Sequence, residues 1–323
     1  MKYLEYAYNL YPSILKILKY LVGASVFLWL IVFTYLNVIP SSKNCYHAAI
    51  LQKQKLLEET PSPRIIITGS SSAAFGINST ILHNDFNLPV VNMALDSDLG
   101  SSFMLKQLEG HLQPNDIVLL VVDYQTSQKG NLLPQLITGD YLSEARDWRS
   151  SFTLSERLNG HLAYYWYISR SFFLSIWDMA HISKESSFSN VYTSRGFDSK
   201  GDLVSHLGQP PYFKNSLPAL VVDSTLNQQI EEVNSFNRYA TQKQAKLFWV
   251  IGSCSQGYFE QNQKAIQQYE SVLNNTLFCP IIGNSLTGVM DDALYFDSQN
   301  HPNAEGRKIW TYRIVELLDS FDF

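Results

Sequence analysis

Ser71, Asp297 and His301, far apart in this 323-residue chain, are of the types that together make and break ester bonds. A serine hydroxyl is a weak nucleophile until a base takes its proton, and a histidine serves well there only when a carboxylate fixes its tautomer. Ser71 lies in Gly69-Ser70-Ser71-Ser72, directly after the β-branched run Arg64-Ile-Ile-Ile-Thr68. A buried strand feeding a turn of small residues presents one hydroxyl at the carboxyl end of a parallel sheet. The same letters also read as a serine-capped helix start or as an anion-cradling loop. Neither G-x-G-x-x-G nor a Gly-Lys-Ser/Thr ending is present.

The base and acid stand near the other terminus, in Tyr295-Phe-Asp297-Ser-Gln-Asn-His301-Pro-Asn303-Ala-Glu-Gly306. A turn just before a final helix lets both side chains converge on the sheet end that carries the serine turn. Taken alone, the segment reads equally well as a turn with an N-cap.

The elements that must position these residues alternate. Strands fit Arg64–Thr68, Pro89–Ala94, Asp116–Asp123, Lys246–Ile251 and Leu277–Ile282; helices fit Gly100–His111, Val222–Thr241, Glu260–Leu273 and Ala304–Leu318. Such alternation predicts parallel β-α-β units in an α/β domain over 64–323. Residues 130–215 break the rhythm with crowded aromatics (Tyr164 to Tyr167, Phe172, Phe173, Trp177) and are expected to form a mostly helical insertion, its aromatics either core or the wall of a binding site.

The chain begins differently. Residues 20–36 carry no charge and the apolar run continues to residue 39 before Pro40, which predicts one uncleaved membrane-spanning helix within an N-terminal segment 1–40 that engages the lipid bilayer through residues 20–39. Lys2, Lys16 and Lys19 precede it and Lys43, Lys53 and Lys55 follow it, so charge gives little bias to orientation. Tyr3–Lys19 is expected to lie on the membrane surface or to pack on a partner's helices, and 41–63 to be a polar, helix-prone connector.

Composition narrows the function. With 46% hydrophobic and 16% charged residues the chain buries a sizeable core, and a net charge of -5 without a basic stripe argues against a nucleic-acid partner. The three cysteines, Cys45, Cys254 and Cys279, have no zinc-type spacing, so neither metal nor cofactor is expected. Cys254 and Cys279 are either a disulfide or two buried thiols.

Gly69-Ser70-Ser71 and Asp297-x-x-x-His301-Pro-Asn-x-x-Gly resemble the first and last blocks of the SGNH (GDSL-like) hydrolase superfamily. Gly-Ser-Ser-x-Ala-x-Phe-Gly-Ile-Asn, from Gly69 to Asn78, is most similar to the membrane-anchored branch of teichoic-acid D-alanyl transfer and alginate acetylation proteins. Arg195–Asp202 resembles a Phe-Asn-x-x-Gly-Asp segment of that branch. The resemblance implies a three-layer, flavodoxin-like parallel sheet, with Ser71 as nucleophile, His301 as base and Asp297 as orienting acid.

Backbone amides of Ser71 and of Ser97 or Asp98 would form the oxyanion hole; the latter pair stands where the family has a small glycine. The family's Gly-x-Asn block falls on Asp123-Tyr124-Gln125, which has no asparagine. A side-chain donor must then come from elsewhere, for example Tyr124 or Gln125. Ser70, Asp123, Tyr124 and Gln125 are candidates for substrate binding.

The resemblance further implies a single-pass protein of the bacterial cell membrane with its domain in the periplasm or outside the cell. It would be an esterase or O-acyltransferase working through an acyl-serine, with a membrane-bound O-acyltransferase as donor-side partner and a glycan or envelope polymer as acceptor. The alternative is an SGNH-like scaffold that binds glycan or assembles a membrane complex.

Overall fold

The computed structural model describes residues 2–38, 44–180, 191–213 and 219–321, without the side chains of 2–12 and 178–180. The end of the expected span at residue 39, Pro40, Lys43, and parts of the 130–215 insertion lie outside these. Helix α1 runs unbroken over Lys2–Asn37, so the Tyr3–Lys19 segment is continuous with the apolar helix. Its stretch Ser13–Asn37, 25 residues, is long and apolar enough to cross a membrane: it rises about 37 Å against a hydrocarbon thickness of about 30 Å. Leu18, Tyr20, Leu21, Phe27 and Trp29 are exposed, whereas Ile31 and Tyr35 are buried.

The stretch expected as a connector contributes to the core. Helix α2, Ala49–Glu59, buries Ala49, Ile50, Lys53 and Leu57 and packs against the second strand. The main sheet comprises β1 (Ile65–Gly69), β2 (Val90–Asn92), β3 (Ile117–Val122), β4 (Lys246–Ile251) and β6 (Ile281–Ile282), all parallel, in the order β2-β1-β3-β4-β6. A separate parallel pair joins β5 (Cys254–Ser255) to β7 (Val289–Met290). Every residue of β1 and β3 is buried, as near-continuous apolar strands require when helices cover both faces.

Two helix groups supply that cover. α5 (Ser101–Lys106) and α8 (Ser224–Gln242) pack on each other and on β1 and β4; α3 (Ser71–Gly76), α4 (Ser79–Phe86) and α10 (Ala304–Leu318) pack together. α9 (Gln256–Thr276) packs against β5 and β7. The last strand of the sheet is shorter than the sequence pattern predicts. Pro280 offers its carbonyl to Trp249 N at 2.9 Å but has no N–H for the ladder, and Phe278 is exposed.

Between β3 and β4 the insertion supplies α6 (Leu132–Tyr141) and α7 (Leu154–Ala180). Tyr164 and Ile168 of α7, Ile137 of α6 and Tyr35 of α1 form a small second core. Cys254 and Cys279 are buried free thiols, both pushed up to about 12 by burial.

Candidate active site

β1 delivers Ser71. A Cβ at Gly69, the last residue of β1, would lie 1.7 Å from the Val121 carbonyl oxygen, so only glycine lets β1 and β3 stay paired to their ends. Ser70 N donates to that carbonyl at 3.1 Å, and α3 begins at the next residue. The hydroxyls of Ser70 and Ser72 meet at 2.7 Å in the interior. Of the three serines, only Ser71 lines the cavity above.

The opposing residues come from the loop before α10. Asn303 caps that helix by accepting from the Glu305 and Gly306 amides, each at 3.1 Å. Phe296 N donates to His301 O and Asn303 N to Leu294 O, both at 2.8 Å, which closes the loop that carries Asp297 and His301. His301 Nε2 lies 2.8 Å from Ser71 Oγ, and His301 Nδ1 lies 2.8 Å from Asp297 Oδ1. Residues 230 positions apart thus form one hydrogen-bonded chain.

The environment supports that polarity. Burial alone would raise the Asp297 pKa, but hydrogen bonds from His301, Tyr192 and Tyr212 outweigh it and hold the carboxyl below its usual range. An ionised Asp297 draws the imidazole proton to Nδ1 and leaves Nε2 to accept from Ser71. Phe75 of α3 stacks on the imidazole with ring centroids 4.0 Å apart and planes 6° from parallel. The phenylalanine of the Gly69–Asn78 motif is therefore the platform on which the His301 ring rests.

A cavity of about 530 Å3 opens over Ser71 and His301, walled in part by Cys45, His47, Asp96, Ser97, Gln125 and Asn300. His47 Nε2 and Asp96 Oδ2 are 2.9 Å apart. Burial would lower the His47 pKa, but Asp96 and Cys45 raise it to about 10, so an imidazolium faces the cavity. Burial would raise the Cys45 thiol, yet the neighbouring His47 brings it down to about 7; Cys45 Sγ also lies 3.5 Å from Tyr167 Oη.

The expected oxyanion and binding residues are not all at the cavity. Ser97 lines the cavity, whereas Asp98 is exposed outside it and its amide already donates to Asp96 Oδ1 at 3.0 Å. The carboxylate that does face the cavity, Asp96, is neutralised by His47. Asp123 is buried beneath the wall, where it accepts from Gln125 N and Thr126 Oγ1 at 3.0 Å and from Asn300 Nδ2 at 2.9 Å. Tyr124 turns away to pack on Tyr258 and Tyr269. Gln125 reaches the wall.

Sequence reasoning missed Cys45, His47, Asp96, Tyr192, Tyr212 and Asn300. Asn300 carried a signal, since it lies inside the Asp297–His301 block. Cys45 and His47 sit in the stretch read as a connector, and Tyr192 and Tyr212 in the insertion, where no local pattern points to the sheet end.

A buried polar hub holds the site together. Asp202 accepts from Ser79 N at 2.8 Å, Ser79 Oγ at 2.6 Å, Asn92 Nδ2 at 2.9 Å and Arg307 Nη2 at 2.6 Å, which ties α4, β2 and α10 to one carboxylate. Lys53 of α2 donates to the carbonyls of Asn92 and Gly201 at 2.8 and 2.6 Å, and burial brings its pKa down to about 7. Gly201 is required there: its φ is +85° and a Cβ would lie 2.2 Å from Asn92 O.

No family model and no curated protein matches the chain.

Proposed function

We propose that the protein is a membrane-anchored serine esterase or O-acyltransferase of the SGNH kind that carries the acyl group of an extracytoplasmic glycan or envelope polymer on Ser71. The observation that supports this reading best is the chain Ser71 Oγ, His301 Nε2, His301 Nδ1, Asp297 Oδ1, with 2.8 Å at each hydrogen bond, opening on a cavity. The strand order β2-β1-β3-β4-β6 adds to it. That order is the flavodoxin-like one, whose switch point falls between β1 and β3, where Ser71 stands.

In this mechanism His301 takes the Ser71 proton as the oxygen attacks the ester carbonyl, and Asp297 stabilises the imidazolium that forms. The tetrahedral oxyanion meets the amides of Ser71 and Ser97, and Asn300 takes the place of the absent family asparagine. Asn300 suits that part because Asp123 accepts one hydrogen of its amide while Ser298 Oγ donates to its Oδ1 at 2.8 Å. Its Nδ2 is thereby held at the cavity wall with a second hydrogen to offer. His301 then returns the proton to the leaving alcohol. Water or a polymer hydroxyl releases the acyl group by the reverse sequence. On this reading the donor comes from a membrane-bound O-acyltransferase, and the domain stands in the periplasm or outside the cell.

The test is labelling of the full chain in detergent with a fluorophosphonate probe, together with hydrolysis of p-nitrophenyl acetate, against Ser71→Ala and His301→Ala. Loss of both signals in both variants is expected. Equal labelling of the three proteins would remove the assignment.

A further inference from the structure

Helix α7 exposes a stripe that a water-facing helix has no reason to carry. Leu154, Leu158, Leu162, Tyr165, Trp166, Phe173 and Ile176 are exposed, Leu162 at 69% and Trp166 at 73%. At 100° per residue these seven fall within one arc of roughly 120° that holds no charged residue; Trp177, also exposed, falls just beside the arc, and exposed Leu174 lies beyond Arg170. Glu156, Arg157 and Arg170 lie outside the arc by the same count.

The stripe runs into the apolar surface of α1. Tyr164 and Tyr165 line a crevice with Ser25, Leu28, Trp29 and Val32, so α7 crosses α1 along the stretch that would stand in lipid. One residue beyond Trp166, Tyr167 lines the Ser71 cavity together with Cys45, which follows α1 by eight positions. A single helix therefore presents apolar residues beside the spanning segment and a phenol to the catalytic cavity.

We infer that the exposed face of α7 lies in the bilayer beside α1, so that the Ser71 cavity opens at the lipid surface and meets its acyl donor there. The inference rests on reading α1 as a membrane span. A lipid surface is the occupant that fits: the face is continuous with α1's own apolar surface, free of charge and bordered by Arg157 and Arg170, which suit headgroups.

The experiment reads Trp29 and Trp166 separately. Full-length chain in vesicles of phosphatidylcholine, with and without bromine on the acyl chains, is compared with Trp29→Phe and Trp166→Phe; the emission lost in each variant is that tryptophan's share. Both shares are expected to fall about twofold or more in brominated lipid. Quenching of the Trp29 share with no change in the Trp166 share would overturn the inference and leave the anchor standing. No quenching of either would remove the span and the inference with it. Trp166 is mostly exposed, and unchanged circular dichroism of Trp166→Phe checks that its fold is kept.

Discussion

The phenol of Tyr192 donates to Asp297 Oδ2, the carboxylate oxygen that His301 leaves unused. Tyr192 Oη is also 3.3 Å from His301 Nδ1, so one hydroxyl touches both Asp297 and His301. Tyr192→Phe deletes a donor that helps to hold the Asp297 pKa low. The carboxyl pKa then rises, and Asp297 takes up a proton at a higher pH than before. The acid limb of the kcat/KM profile for p-nitrophenyl acetate is expected to move to higher pH, with kcat about tenfold lower and KM little changed. An unmoved acid limb would mean that Tyr192 only packs.

Asp297→Asn keeps the volume but reverses a donor. The amide can offer hydrogen to Nδ1, which favours the tautomer with its proton on Nε2, facing Ser71. A fall in kcat of roughly a thousandfold to ten-thousandfold is expected, with the melting temperature nearly unchanged. A variant that retains even a tenth of the wild-type rate would argue against Asp297 as the orienting acid.

Asn300→Ala tests the proposed part of Asn300 as an oxyanion donor. Removing one oxyanion donor costs about a hundredfold to a thousandfold in kcat. The Ser71–His301 hydrogen bond does not involve Asn300, so labelling by a fluorophosphonate should persist at a reduced rate. A kcat within about threefold of wild type would assign the stabilisation to backbone amides alone.

How much of this was legible in the sequence depends on where the information lies. The β-branched runs at 65–68 and 117–122 are short, apolar and bounded by turns, so their pattern alone fixes them as buried strands. Gly69, Ser71, Phe75 and Asn78 form a local motif in which each residue does something within ten positions or against the sheet end. Tyr192, His47 and Asp96 are different. Their roles come from packing across more than forty positions, and no spacing rule links His47 to Asp96 or Tyr192 to Asp297.

The α2 helix shows the same limit. Its Lys53 looks like solvent-facing polarity in sequence, but it is fully buried and donates to two carbonyls of the loop and strand beside it. Asp98 and Tyr124 fit the expected blocks by position in the sequence, yet Asp98 is exposed outside the cavity and Tyr124 packs on Tyr258 and Tyr269.

The Asp202 hub carries a stability prediction. Asp202 and Arg307 are both nearly inaccessible, so Asp202→Ala leaves a buried guanidinium without its carboxylate and strips Ser79 and Asn92 of an acceptor. Breaking a buried pair in this way costs about 3–5 kcal/mol. The urea midpoint of the detergent-solubilised chain should fall accordingly, and Asp202→Asn should fall nearly as far because it cannot balance Arg307. A loss below about 1 kcal/mol would show that water reaches the hub.

Cys45 gives the prediction with the clearest pH signature. Its thiol, brought down to about 7 beside His47, faces the cavity that holds Ser71. The thiolate is the reactive form, so the rate of iodoacetamide alkylation should rise with pH through about 7 and level off above it. His47→Gln removes the cation, and the midpoint should then move up towards the ordinary thiol value of about 8.5 or beyond, because burial still disfavours the thiolate. The carbamidomethyl group would occupy part of the cavity, so alkylation should also slow turnover of p-nitrophenyl acetate, and Cys45→Ser should be insensitive. A midpoint that stays near 9 in the wild type would refute the thiolate–imidazolium pairing, and alkylation without loss of activity would place Cys45 away from the path of the substrate.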